Sequence, residues 1–158
     1  MSIGIGSDVP PLRPGRDLVI GGGHIDNPLG LDGHSDADVL THAVIDSLLG
    51  AAALGDIGQH FPASDPGYAG ASSQDLLTMV VRTVRQAGYR VANVDTTVVA
   101  EEPRLQPHID AIRKQLATTL GVDLGAVGVK APSPEGLGAL GREEGIAAHA
   151  VALIEATG

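Results

Sequence analysis

Apolar residues recur at helical spacing in three stretches of the chain. From Asp36 to Ala53, Val39, Leu40, Ala43, Val44, Leu48 and Leu49 fall on one stripe, and Gly55 closes the run. Ser35 stands at its start with Asp38 three residues on, the spacing of a capping box with Asp in place of Glu. A second helix is predicted from about Ser73 to Ala87, with Leu76, Leu77, Val80, Val81 and Val84 inward and Gly88 as the stop. A third covers Pro107 to Leu120, with proline in the first turn, Ile109, Ile112, Leu116 and Leu120 on one stripe, and Gly121 beyond. Between them, Tyr89 to Ala100 is β-branched and partly alternating, which predicts a strand, as does Val127 to Lys130. Leu18-Val19-Ile20 before Gly21-Gly22-Gly23 reads as a brief strand running into a turn. The start, Ile3 to Val9, is short and interrupted by glycine. The C-terminal run from Gly145 to Ala156 alternates as a strand would, yet its alanine content also suits a helix. Strands and helices interleave with no repeat and no linker. The expectation is a single domain over 1–158 of the α/β (α+β) class, with helices on one face of a sheet.

Charge and composition remove several functions. Ten Lys and Arg stand against 19 Asp and Glu, a formal charge of −9, so neither nucleic acid nor an anionic membrane is the expected partner. Aromatics make up 2%, namely Phe61, Tyr68 and Tyr89, too few for a base-stacking platform. No cysteine is present, so a metal has only His and carboxylates to sit on. The N-terminus does not read as a signal peptide, and no stretch approaches the ~18 apolar residues of a membrane span. A cytoplasmic location is the expectation.

The densest chemistry is His34-Ser35-Asp36-Ala37-Asp38, followed by His42 and Asp46. Residues 38, 42 and 46 are four apart and rise along one helix face. His34 precedes the helix, near the positive end of its dipole, where phosphate oxygens bind readily. A solvated polar face with an N-cap is the plainer account of the same pattern. Asp8 follows a GIGS turn, and Gly4 and Gly6 lack the strand and third glycine of a dinucleotide fingerprint. Four loops carry further candidates: Gly55 to Gly58 with Asp56, Phe61 to Asp65, Ala100 to Gln106, and Lys130 to Gly136 with Ser133 and Glu135. Arg142 is a phosphate ligand or a salt-bridge partner. Each of these segments, taken alone, also serves as an ordinary turn.

Together the segments are more specific. The N-terminal Asp-Val, GHSDADVLTHAVIDSLLGAAALGDIGQHFP, NVDTTVVAEEPRLQPHI, VKAPSPEGLG and GREEGIA resemble the 2-C-methyl-D-erythritol 2,4-cyclodiphosphate synthase family over essentially the whole chain. The resemblance implies a four-stranded sheet with helices on one face, in a homotrimer around a threefold axis with active sites between neighbours. It implies a phosphorus–oxygen lyase of isoprenoid precursor biosynthesis. Such an enzyme cyclises a CDP-linked phosphopolyol, 4-CDP-2-C-methyl-D-erythritol 2-phosphate or a close relative, to a 2,4-cyclodiphosphate with release of CMP. It further implies Zn²⁺ at Asp8 and His42, and Mg²⁺ or Mn²⁺ at Glu135. His34 and Ser35 match a phosphate-contacting pair, with His34, Ser133 and Glu135 in catalytic positions. Asp56 and Gly58 match a polyol-binding turn, with Phe61 and Asp65 alongside. Ala100, Pro103, Arg104, Leu105 and Gln106 match a cytidine-binding strand end, and Ser133 and Arg142 complete the substrate contacts.

The chain departs from that pattern at named positions. Pro10 stands where the third zinc ligand is normally His, and proline has no side-chain donor, so the resemblance implies a weak or missing zinc site. His60 and Asp36 are the candidates for a replacement ligand. Pro132-Ser133 replaces Thr-Thr, Arg104 and Gln106 replace Lys and an apolar residue, and Glu143 replaces Gly. Ile5 and Ser7 replace His and Phe, and Ala139 replaces Phe. Loss of the rings at 7 and 139 implies a wider, less apolar central channel. Two outcomes follow: a synthase with a rebuilt metal site, or a diverged paralogue that acts on another CDP-linked substrate or serves only as a nucleotide- or partner-binding trimer.

Overall fold

A computed structural model describes residues 1–158. In chain order the elements are β1 (Ser2–Asp8), β2 (Leu12–Pro14), β3 (Leu18–Ile20), β4 (Gly23–Ile25), β5 (Leu29–Leu31), α1 (Val39–Ala51), α2 (Ile57–His60), α3 (Ser73–Gln86), β6 (Tyr89–Val99), α4 (Ile109–Leu120), β7 (Val127–Lys130), α5 (Gly138–Gly141) and β8 (Ala147–Ala156). One four-stranded sheet has the order β1-β8-β6-β7, antiparallel except for the parallel β6–β7 pair. Two small ribbons, β2–β5 and β3–β4, flank it. The α/β expectation holds, with α1, α3 and α4 packed on the sheet strands.

β8 settles the choice left open by its composition. Ala148, Ala150, Ala152 and Ile154 are buried at every second position while His149 and Val151 face out, so the run is a strand. Its small alanines let α1 lie close over β8 and β1. In β1 the approach is closer still. A Cβ on Gly4 would stand 2.1 Å from the Ser47 carbonyl oxygen, and one on Gly6 1.9 Å from that of Ala43. These glycines therefore seat a helix on a strand. Ile3 to Val9, read as a broken start, lies mostly within a seven-residue edge strand.

α1 differs from its expected form in two ways. It is apolar nearly all round and central, with Val39, Leu40, Ala43, Val44, Ile45, Leu48 and Leu49 fully buried in a 33-residue core. It also starts later than the capping-box spacing suggests. Its N-cap is Asp38, not Ser35. The Asp38 carboxylate is wholly buried and accepts from Thr41 N (3.0 Å), Thr41 Oγ1 (2.7 Å), Gly21 N (2.9 Å) and Gly22 N (2.7 Å). One side chain thus caps a helix and closes the β3–β4 turn, and the number of donors that meet at Asp38 decides the start. The third predicted helix begins later too, because Gln106–His108 forms a 3-10 turn before α4.

The opposite face of the sheet carries no helices. Ile3 and Ile5 are 70% and 71% exposed, and Val9 and Val151 lie open beside them. Ser7 Oγ and His149 Nδ1, 2.9 Å apart, form a polar pair on this part of the sheet.

Asp38→Ala leaves three backbone N–H groups and one hydroxyl without their shared acceptor. The expected loss is about 3 kcal/mol of stability, or a fall of roughly 10 °C in melting temperature, read by thermal denaturation.

Candidate functional site

The site grows from the loop before α1. Ser35 Oγ accepts from Ala37 N (3.3 Å) and lies 3.1 Å from His42 Nε2, one turn into the helix. Ser73, fully buried at the start of α3, places its Oγ 2.8 Å from the same nitrogen. Asp36 accepts from both the backbone N–H and the hydroxyl of Ser73. A carboxylate only accepts, so the Ser73 proton goes to Asp36 and His42 Nε2–H donates to Ser73. On the other side of the ring, His42 Nδ1 stands 3.2 Å from Asp8 Oδ2 at the end of β1. Burial pulls the His42 pKa down, but the hydrogen bond and charge of Asp8, helped by Asp38 and Asp36, leave it above its ordinary value. His34 is exposed, with Nε2 2.9 Å from the Asp65 carbonyl oxygen.

Two expectations about this cluster need correction. The positive end of α1 is already filled by the Asp38 carboxylate, so helix-terminus phosphate binding is not what His34 and Ser35 have to offer. Neither proposed replacement ligand joins the pair: His60 Nε2 lies 2.8 Å from the Leu54 carbonyl, and Asp36 is taken up by Ser73 and Asp38 N.

With Nε2–H directed at Ser73, the Nδ1 lone pair would face a carboxylate, an arrangement that needs a proton or a cation between them. Asp8 and His42 could form two corners of a metal site. No third His, Cys, Asp or Glu completes the set, and Pro10 contributes no side-chain donor. The residues present do not fit a three-ligand zinc site.

Beside this cluster lies the 55–61 turn. Asp46 Oδ1 accepts from Ile57 N (2.7 Å), and Asp56 caps α2 by accepting from Gln59 N (3.0 Å). His34, Ser35, His42, Gly58, Phe61 and Tyr68 share one small cavity, the last two rings meeting edge to face. The Asp65 carboxylate caps the following 3-10 turn through Gly67 N (2.8 Å) and does not line the cavity.

A second group gathers elsewhere. A pocket of about 420 Å³ is lined by Val98, Ala100 to Gln106 and Ala131 to Ser133. It opens at the C-terminal ends of the parallel strands β6 and β7, the usual ligand position in an open α/β sheet. Ala100 and Leu105 are buried in its floor, while Arg104 and Gln106 are exposed. Ser133 Oγ donates to Glu101 Oε2 (2.9 Å) and accepts from Glu135 N (3.0 Å). Glu135 itself is left-handed, with φ 54°. Arg142 pairs with Glu144 at 2.6 Å and lines neither cavity. The chain therefore brings the sequence candidates into two clusters that line separate cavities. Ser73 escaped the sequence reading, because nothing in a helix's first residue announces a histidine 31 positions away.

The YgbB family model matches residues 1–155. A 2-C-methyl-D-erythritol 2,4-cyclodiphosphate synthase of Moorella thermoacetica is 58% identical over 98% of this chain and 94% of its own length. The synthase of Thermosynechococcus vestitus is 55% identical over 97% and 95%. Among solved structures, a 2C-methyl-D-erythritol-2,4-cyclodiphosphate synthase in a CDP-bound form has a TM-score of 0.89 at 33% identity, over 97% of this chain and 99% of that one. The bifunctional IspDF of Campylobacter jejuni reaches a TM-score of 0.94 at 37% identity, over 98% of this chain and 42% of that one.

Burial, followed by the nearby charges of Asp56 and Asp8, holds the half-buried Asp46 carboxyl above its ordinary range. A raised pKa in the folded state adds stability below the unfolded value, which is lost as pH rises through the folded one. Asp46→Asn keeps an acceptor for Ile57 N and removes the charge. Its melting temperature is expected to exceed the wild type's at neutral pH, with the gain shrinking as pH falls towards 4. A lower melting temperature at neutral pH would count against this account.

Proposed function

This chain belongs to the YgbB family, and on that premise we propose that it is a cytoplasmic lyase that cyclises 4-CDP-2-C-methyl-D-erythritol 2-phosphate and releases CMP. The supporting observation is the near full-length likeness to synthases of that name, at 54% identity or above in each of several relatives. An oxygen of the 2-phosphate attacks the β-phosphorus. The bond from that phosphorus to the oxygen bridging the α-phosphate breaks, and the bridging oxygen leaves with CMP. Phosphoryl transfer of this kind is mostly positioning and charge neutralisation, so it asks for donors in fixed places more than for a nucleophile.

The residues divide that work. Ser35 takes the Ala37 N–H and shares the His42 Nε2–H, so its own proton is free for a phosphate oxygen. His34, its Nε2–H held at the Asp65 carbonyl, presents Nδ1 to the same phosphate and donates to it only as the doubly protonated imidazolium. Asp56 uses Oδ1 as a cap and keeps Oδ2 for a polyol hydroxyl, beside Gly58. The pocket at Ala100 to Gln106 takes the cytidine, with Arg104 free of any ion pair and available to the α-phosphate. Glu135 is exposed and without a cationic partner, which suits a Mg²⁺ or Mn²⁺ ion shared with substrate phosphates. Such an ion, when bound, neutralises diphosphate charge. No step is assigned to zinc.

The single domain over 1–158 assembles, in this reading, as a homotrimer around a threefold axis. The apolar patch on the outer face of the sheet at β1 and its neighbour β8, with Ile3, Ile5, Val9 and Val151 open, supports association. So does the separation of the two clusters, since a neighbour's cytidine pocket would complete each site.

Incubation with the CDP-linked substrate and Mg²⁺ is expected to release CMP and the cyclic diphosphate in equal amounts. No CMP from this substrate, with CDP still bound, would leave the second reading, a paralogue for another CDP-linked polyol, which the missing third ligand beside Asp8 and His42 favours. Elemental analysis after dialysis is expected to find far less than one zinc per chain, rising towards one in Pro10→His, whose third ligand completes the usual catalytic set. Full zinc in the wild type would overturn the account of the metal site.

A further inference from the structure

Ser133 and Glu101 form a contact across the mouth of the β6–β7 pocket whose consequence lies in a single proton. A serine hydroxyl has one proton and two lone pairs. The Ser133 proton goes to Glu101 Oε2 at 2.9 Å, and one lone pair takes the Glu135 N–H at 3.0 Å. What remains towards the pocket is one lone pair. Glu101 forms no ion pair, so nothing else claims its carboxylate, and Gly136 lies alongside its other oxygen, 3.9 Å from where a Cβ would stand.

From this geometry we infer that Glu101 is a specificity-determining positioning residue, which makes Ser133 an acceptor and withholds its proton from phosphate. The inference rests on the reading of this pocket as the nucleotide site. Phosphate oxygens only accept at neutral pH, so a wall of Ser133 lone pair and Glu101 carboxylate gives them nothing. Hydroxyl and amino groups of a nucleoside, which donate, are served by the same wall. Glu101 therefore biases the pocket towards the nucleoside end of its ligand and against the phosphates. That bias favours departure of a nucleoside monophosphate product over its retention. The bond is also a tie between the loop after β6 and the loop after β7, and a phosphate can take the Ser133 proton only when the tie opens.

The test is a double-mutant cycle read by isothermal titration calorimetry with CDP and with cytidine, on wild type, Glu101→Met, Ser133→Ala and the double variant. Methionine keeps the length of Glu101 but cannot hold the Ser133 proton. Glu101→Met is expected to bind CDP about tenfold more tightly than wild type, the worth of one hydrogen bond to a charged acceptor, while cytidine, which loses the carboxylate as an acceptor and has no phosphate to gain the Ser133 proton, binds no more tightly than it does to wild type. Ser133→Ala is expected to cost about tenfold more CDP affinity in the Glu101→Met background than in the wild type, the coupling the cycle isolates. An equal gain in Glu101→Met and in the double variant would mean that loss of the negative charge alone is responsible, and would overturn the inference. No gain in Glu101→Met, with thermal melts showing it folded, would overturn it too. Wild-type protein that binds neither ligand would instead defeat the nucleotide reading and the inference with it.

Discussion

The buried carboxylate of Asp38 is the point on which the rest of the molecule turns. Removing an anion from water is costly unless hydrogen bonds replace its hydration, and here four donors from two separate elements do so. Because two of those donors belong to the turn at Gly21 and Gly22, the β3–β4 ribbon and the first turn of α1 are placed relative to one another by one side chain. Thr41 carries the connection further. Its hydroxyl donates to Asp38 and accepts from Gln74 on α3, whose other amide atom takes the Thr119 hydroxyl of α4. Three helices and a ribbon are thus joined through a polar chain that starts in the core at Asp38 and Thr41 and emerges towards the surface at Gln74 and Thr119.

That network decides where the chemistry sits. By occupying the N-terminus of α1, Asp38 denies it to a ligand and leaves the preceding loop, with His34, Ser35 and Asp36, to turn outward. Asp36 then reaches the start of α3 and fixes the Ser73 proton, which sets the hydrogen on His42 Nε2 and leaves Nδ1 facing Asp8. The tautomer follows from a carboxylate two residues away from the helix cap. The His42–Asp8 pair is therefore held in place from both sides, with or without a third ligand.

Tertiary organisation also separates what the sequence lists together. Asp65 and Arg142 stood among the substrate contacts expected from resemblance, yet one caps a turn and the other pairs with Glu144, and neither lines either of the two site cavities. In contrast, Ala100 to Gln106 and Ala131 to Ser133, 25 or more residues apart in the chain, become two walls of one pocket because β6 and β7 run parallel, with Lys130 at the end of β7 opposite Thr97 near the end of β6. Parallel neighbours place their following loops on the same edge of the sheet.

The helical periodicities of α1, α3 and α4, the long β6 and the short β7 were legible because period and stop residues are local properties. So was the alignment of Asp38, His42 and Asp46, since spacing along one helix from its cap is fixed by its pitch. The brief strand β3 was legible as well, but beyond the reach of local pattern were its partner β4, the β2–β5 ribbon, the cap at Asp38, and the choice of strand over helix at Ala147–Ala156. Each depends on a partner distant in sequence. An alanine-rich run becomes a strand only where a helix needs a thin surface to lie on, and Gly4 and Gly6 acquire meaning only when Ser47 and Ala43 arrive against them. Likewise, the sequence established that Pro10 supplies no donor, a fact of covalent structure. Only packing decided that Asp36 and His60 are engaged elsewhere and cannot stand in, because a side chain's availability depends on which donors and acceptors the fold has already brought to it.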